Sequence, residues 1–169
     1  MAVHERMTFR VVPIAEEHIE GFWAALDSVA RERRYLTFLE APPFPECRNF
    51  VAQSIRRGHP QHVALASERV VGWCDVLPID RPIRAHTGVL GLAVLAAFRG
   101  RGIGTALLRA TLERARAVGL TRIELSVREN NKRVVELYER FGFVHEGIQR
   151  NAIRVDGAYE SLICMGLIL

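Results

Sequence analysis

The sequence predicts a single α+β domain, and three observations predict it. The chain has 169 residues, a length that suits one hydrophobic core. Its apolar pattern switches between strand and helix periods with no repeat, linker or low-complexity tract. The order is a strand and a helical excursion, then adjacent strands, then helix–strand–helix and a closing hairpin.

Residues 8–12 read as a short strand closed by Pro13. Over 16–29, Ile19, Phe22, Trp23 and Leu26 recur at spacings of three and four, which predicts a helix. Residues 31–40, RERRYLTFLE, read as a charged, aromatic turn or a second helix, closed by the Pro-rich stretch 41–45. Another helical run covers 46–57 and stops at Gly58. Residues 62–66 and 69–77 predict strands joined by a tight turn at Ser67 and Glu68. Pro78 and Pro82 mark a loop through Ile83 and Arg84, and 87–95 form an apolar strand. Gly100, Gly102 and Gly104 lead into the longest helix, 103–118, whose apolar face carries Ile103, Leu107, Leu108 and Leu112; Gly119 ends it. Ile123, Leu125 and Val127 alternate with Glu124, Ser126 and Arg128, the mark of a strand with one buried face. A helix over 132–141 stops at Gly142, and the remainder, with its apolar run 161–169, reads as a hairpin.

Composition excludes several classes. A net charge of +4 and a pI of about 9.4 are spread along the chain, compatible with an anionic small ligand. The arginines are not interleaved with an aromatic platform, so no nucleic-acid partner is expected. Cys47, Cys74 and Cys164 are odd in number and lack CxxC spacing, which predicts buried thiols in a reducing compartment. His59 and His62 have no third ligand nearby, so no metal is expected. The opening MAVHERMTFR holds no apolar leader and no apolar run approaches a membrane span, so a cytoplasmic chain without a membrane partner is expected.

The sharpest local feature is Arg99-Gly100-Arg101-Gly102-Ile103-Gly104-Thr105, placed between an apolar strand and a helix. The first N–H groups of a helix have no partner within it, glycines let a ligand approach the backbone, and two arginines add positive charge. The segment reads as a pyrophosphate cradle or as a structural turn; it is no Walker A loop, since the Lys-Ser/Thr pair is missing. The second feature is Asn131 to Phe143. Asn131 can cap the helix that follows, and Tyr138 is read from the residues alone as a core or interface residue or as a proton donor.

Together these stretches resemble the GCN5-related N-acetyltransferase superfamily. The family's Arg/Gln-x-x-Gly-x-Gly/Ala motif is met by Arg99, Gly102 and Gly104, with Leu92 and Val94 in the preceding Leu-x-Val. The later Asn-x-x-Ala-x-x-Leu-Tyr-x-x-x-Gly-Phe pattern is met by Asn131, Leu137, Tyr138, Gly142 and Phe143, with Val134 in place of the alanine. Residues 145–150 and 156–159 through Met165 look like the closing strands of bacterial members, and Leu95-Ala96 departs from the common polar-Pro pair. The resemblance covers nearly the whole chain and implies a mixed, mostly antiparallel sheet with a splayed parallel pair and flanking helices.

What the resemblance implies can be placed residue by residue. Backbone groups of Leu92, Ala93 and Val94 would hold the pantetheine arm of acetyl-CoA. N–H groups of Arg99, Gly100, Arg101, Gly102, Ile103, Gly104 and Thr105 would bind its pyrophosphate, with the Arg99 and Arg101 side chains near the nucleotide. Asn131 would hydrogen-bond the arm, and Tyr138 would protonate the departing thiolate. The implied reaction is direct attack of a primary amine on the thioester in a ternary complex, and Cys74 reads as a structural thiol, not an acetyl carrier. Many relatives carry a Glu on the strand at 87–94, where this chain has none, which leaves His86, Asp75 and Glu32 as candidate bases. Trp23, Arg33, Arg34, Tyr35, Phe38, Trp73 and Asp75 are candidates for the acceptor side. Arg33 and Arg34 either meet a substrate carboxylate or form solvated surface. The expected acceptor is a small amino-acid-like or other metabolite amine. A protein N-terminus and a non-catalytic acyl-CoA sensor are the alternatives, and a homodimer is the assembly the resemblance leaves open.

Overall fold

The computed structural model describes residues 8–169; the first seven residues of the stretch expected to lack an apolar leader lie outside them. β1 (Arg10–Pro13) is followed by one 3-10 turn at Glu16–His18 and by α1 (Ile19–Arg31). The helix expected over 16–29 thus opens as a tighter turn. Ala15 has no side chain to cap it, and the His18 ring nitrogen accepts the Ala15 N–H at 3.0 Å instead.

Of the two readings of residues 31–40, the turn is the one found. Arg33 sits in the left-handed region at φ +58°. The segment is pinned by side chains: Asp27 Oδ1 accepts the Ala41 N–H at 3.0 Å, and Trp23 Nε1 donates to the Pro42 carbonyl at 2.8 Å. α2 (Phe44–Arg57) starts two residues before the predicted 46, with Pro43 at its N-cap and Gly58 closing it at φ +66°.

β2 (Gln61–Ala66) and β3 (Arg69–Pro78) are joined by Ser67 and Glu68, at φ +47° and +62°, a two-residue turn whose twist matches the strands. β4 (Thr87–Val94), α3 (Ile103–Ala117), β5 (Arg122–Arg128) and α4 (Lys132–Arg140) follow, and β6 (Val144–Val155) with β7 (Ala158–Ile168) forms the closing hairpin. The sheet runs β1-β2-β3-β4-β5-β7-β6. Every pair is antiparallel except β4–β5.

That parallel pair is short. Thr87, Gly88 and Val89 stand opposite Arg122, Ile123 and Glu124, and there the pairing ends. β4 runs on to Val94 and β5 to Arg128, so the strands part and the facing backbone edge of β4 has no strand partner beyond Val89. The mixed sheet with a splayed parallel pair and flanking helices is therefore the fold.

Both faces of the sheet are covered over β3, whereas β6 at the edge is exposed. On one face, Gly72 lets Leu107 of α3 approach β3; on the other, Trp73 meets Phe22 of α1 edge-on at 5.5 Å. Val63, Val71, Val76, Leu107, Leu108, Ile123 and Met165 form the fully buried centre. Two expectations are corrected. Arg128 breaks the alternation of β5: it is 4% exposed, because its guanidinium binds Glu160 of β7 through Nε at 2.7 Å and the Arg33 carbonyl through Nη1 at 2.8 Å. Cys47 and Cys74 are buried, but Cys164 is only half-buried, within 3.8 Å of the hydroxyl of the exposed Ser126. No helix among the described residues is long and apolar enough to cross a membrane.

Candidate active site

A cleft of about 370 Å³ opens where β4 and β5 separate, within the range of small-molecule sites. Leu92, Ala93 and Val94 form its floor and Val29, from α1, lies on one side. Arg99, Gly100, Gly102, Ile103, Gly104 and Thr105 line its far end, and Asn131 enters from the start of α4. The predicted ligand residues are thus brought together apart from Arg101, which lies exposed and outside the lining.

The far end has the physics of an anion site. Gly100 and Gly102 adopt φ +78° and +81°, a conformation that glycine accepts without strain. Gly102 is the N-cap of α3 and gives no side-chain cap, so the first N–H groups of the helix are left for a ligand. A β-carbon on Gly100 would come within 3.0 Å of Arg133 Nη2, which places that guanidinium against the loop. Arg133 and Arg140 both line the cleft and add charge complementary to phosphate.

Two side chains behave differently from their expected roles. Asn131 occupies the N-cap of α4 but makes no cap hydrogen bond; its carbonyl accepts from Val134 and Val135, and its side chain lines the cleft. Arg99, although it lines the cleft, is already engaged by the protein. It chelates Glu32 at 2.8 and 2.6 Å, donates through Nε to the Val94 carbonyl at 2.8 Å, and stacks 4.5 Å over the Tyr35 ring. Arg99 therefore fixes the cleft wall, with Tyr35 in the lining and Glu32 held as its counter-ion.

The remaining acceptor-side candidates are scattered. Trp73 is buried in the core, and Trp23 packs on Phe44 at 5.7 Å. Arg33 grips Asp156 at 2.6 and 3.1 Å, while Arg34 and Phe38 are exposed. His86 is exposed just before β4, its carbonyl accepting from Thr121 and Arg122.

Tyr138 and Asp75 are buried, and neither is among the residues that line the cleft. The Tyr138 ring packs on Phe143 at 5.4 Å, and burial, with Cys74 and Asp75 nearby, pushes its phenol well above the ordinary range. Burial also pushes the Asp75 carboxyl up to about 7, against the N–H of Gly91, which donates to it. The Cys74 thiol is raised by burial as well, so it is no ready nucleophile. Among the described residues no three His, Cys, Asp or Glu side chains come together as a metal site.

Sequence reasoning missed Val29, Phe98, Arg133, Val134, Leu137 and Arg140 as lining residues. The last four follow Asn131 on one face of α4 and were legible from its helical spacing; Val29 and Phe98 reach the cleft only through tertiary packing.

The model of the acetyltransferase (GNAT) family matches residues 23–143. The L-amino acid N-acetyltransferase AaaT of Escherichia coli is 31% identical over 105 residues, 62% of this chain and 65% of that protein, so less than two thirds of that relative's length is matched. A GNAT-family acetyltransferase from Streptococcus pneumoniae superposes with a TM-score of 0.89 at 21% identity, covering 96% of this chain and 100% of the other. A phosphinothricin acetyltransferase from Sinorhizobium meliloti, solved with acetyl-CoA, gives a TM-score of 0.90 at 18% identity over 96% and 89% of the two chains.

Proposed function

The chain belongs to the GNAT family of acetyltransferases, and from that premise we propose that it moves the acetyl group of acetyl-CoA to the primary amine of a small, amino-acid-like metabolite. The observation that carries the reading is the parting of β4 and β5 directly above the glycine-lined start of α3. A strand edge that has no strand partner beyond Val89, with the Val94 carbonyl already taken by Arg99, suits the amide-rich pantetheine arm, and helix N–H groups with Arg133 and Arg140 suit its phosphates. Asn131, free of any capping duty, is available to the arm.

Acetyl-CoA supplies the activated acyl group. The chain's part is to hold it beside the amine, so that attack proceeds within one complex. Tyr138 is the proton donor to the departing sulfur: its raised phenol keeps the proton through the neutral range, the state a donor needs. An amino-acid-like acceptor is favoured by the likeness to AaaT, named an L-amino acid N-acetyltransferase. Arg34, exposed on the loop that carries Tyr35, is the cation for its carboxylate; Arg33 is engaged with Asp156.

The test is CoA thiol release by purified protein with acetyl-CoA and a panel of amino acids, amino-acid analogues, polyamines, aminoglycosides and N-terminal peptides. Release above the no-acceptor blank with the amino acids or their analogues supports the reading. Release with peptides alone replaces the acceptor, and tight acetyl-CoA binding without release on any amine replaces the enzyme with a sensor.

A further inference from the structure

Three residues stand in register across the sheet: Gln61 of β2 opposite Asp75, and Asp75 of β3 opposite Gly91 of β4. Partners in an antiparallel pair point to the same side, and Asp75 shares its side with Trp73, which packs on Phe22 of α1. The Asp75 carboxylate leans over β4. A β-carbon on Gly91 would lie 3.1 Å from Oδ1, so the absent side chain is what lets the carboxylate rest above this strand. Gly91 comes two residues after the last β4–β5 pair and one before Leu92 of the cleft floor. The carboxylate therefore sits over the first residues of β4 that have no β5 partner, on the face opposite α3 and next to the cleft floor rather than in its lining. That is the side from which an amine would approach a thioester lying along Leu92 to Val94.

The surroundings are prepared for a donor. Asp75 is nine-tenths buried, and among the described residues no cation is paired with it. The ionisable groups that act with it are Cys74, its neighbour in β3, and Tyr138 from α4, both held protonated by burial; α1, β2 and β4 present it with no charged partner among the described residues. Gln61 is 2% exposed, and neither its Oε1 nor its Nε2 has a hydrogen-bond partner. The rival bases are otherwise placed: Glu32 is bound by Arg99, and His86 is exposed ahead of β4.

We propose that Asp75 is the base that takes the proton from the acceptor ammonium, and that Gln61, across the strand pair, orients the amine beside it; this rests on the acetyl-transfer reading of the cleft. The Asp75 carboxylate accepts one ammonium proton and becomes the acid. The freed nitrogen pair forms the C–N bond, and the C–S bond breaks with its electron pair left on sulfur. Tyr138 gives its phenolic proton to that sulfur and recovers the surplus proton of the new amide nitrogen. The proton on Asp75 leaves to solvent with the product. A carboxyl that titrates near neutrality suits a base working there.

The experiment measures kcat/KM against pH for the wild type, Asp75→Asn, Asp75→Glu and Gln61→Leu, with acetyl-CoA affinity and thermal melting alongside. The wild type should gain activity through a limb near pH 7. Asp75→Asn should lose about a hundredfold at neutral pH and shift that limb towards the amine's own pKa, with unchanged acetyl-CoA affinity. Asp75→Glu should keep the limb at reduced kcat, and Gln61→Leu should raise the acceptor KM several-fold with the limb in place. Asp75→Asn retaining the wild-type rate and limb overturns the assignment of the base. An unchanged acceptor KM in Gln61→Leu overturns the positioning role. A wild type that binds acetyl-CoA yet acetylates no amine overturns the transfer reading and this inference with it, an outcome distinct from an active wild type indifferent to position 75.

Discussion

Asp75 titrates near 7 in the folded protein but near 3.8 when unfolded, and that difference is also a statement about stability. Between those values the unfolded chain gives up the proton that the folded chain keeps. The folded state therefore loses ground as pH rises through the window, and above pH 7 the loss is complete, at most on the order of 4 kcal/mol. Asn fills the same space and its Oδ1 can still accept the Gly91 N–H. We expect Asp75→Asn to melt higher than the wild type at pH 8, with the advantage shrinking towards pH 4, while activity falls; melts at both pH values check it. A higher stability gained as activity is lost is what a charge buried for function produces. Tyr138 makes the complementary case. Tyr138→Phe keeps the ring packed on Phe143, so its melting temperature should hold within a few degrees. The rate should fall about a hundredfold with acetyl-CoA affinity unchanged, as stopped-time CoA release against calorimetric binding would show.

Among the elements, the start of α3 carries the sharpest expectation. Gly102 sits at φ +81° with nothing within 4 Å of where a β-carbon would stand, so Gly102→Ala meets backbone strain alone. The strain is about 1–2 kcal/mol, and relief by rotation would turn the first N–H groups of the helix away from the cleft. Acetyl-CoA should bind roughly tenfold more weakly while the chain stays folded, measured by calorimetry beside a circular-dichroism melt. These elements were legible because their signals are local: Gly58, Gly119 and Gly142, each at positive φ, stop three helices where the sequence places the stops. The expected residues that line the cleft were legible for the same reason, since they fall in short local stretches. Residues 31–40 were not. Their shape depends on Asp27, Pro42, Asp156 and Arg128, and nothing in a local window reports on Arg128, 95 positions from the carbonyl it binds. The Arg99 contact escaped the local reading similarly, because its partner Glu32 is 67 residues away.

The scale of the whole molecule explains why that loop matters to the cleft. Tyr35 and the Glu32–Arg99 pair belong to the cleft wall, and the loop holding them is fastened to the far end of the sheet. The fastening has two unequal parts. Arg33–Asp156 is exposed on both sides and screened by salt, so it adds little stability. Arg128 is buried, joins Glu160 of β7 and holds the Arg33 carbonyl, so it ties three distant segments. Arg128 holds the Glu160 carboxyl below its usual range, chiefly by hydrogen bonding; that stabilisation is present above about pH 4.5 and is lost as pH falls through the depressed folded value. Glu160→Gln leaves the Arg128 charge buried without a counter-charge. We expect a loss of about 3 kcal/mol, the low end for a broken buried pair because Glu160 reaches the surface. The melting temperature should fall by roughly 6–12 °C for a chain of this size, and the deficit against wild type should narrow in acid. Loosening the loop should also raise the acceptor KM more than that for acetyl-CoA, since the floor and the start of α3 stay where the sheet holds them. A Glu160→Gln protein that melts like the wild type would mean that the loop is held by its own turn and by Trp23 alone, and that the cleft wall is independent of the hairpin.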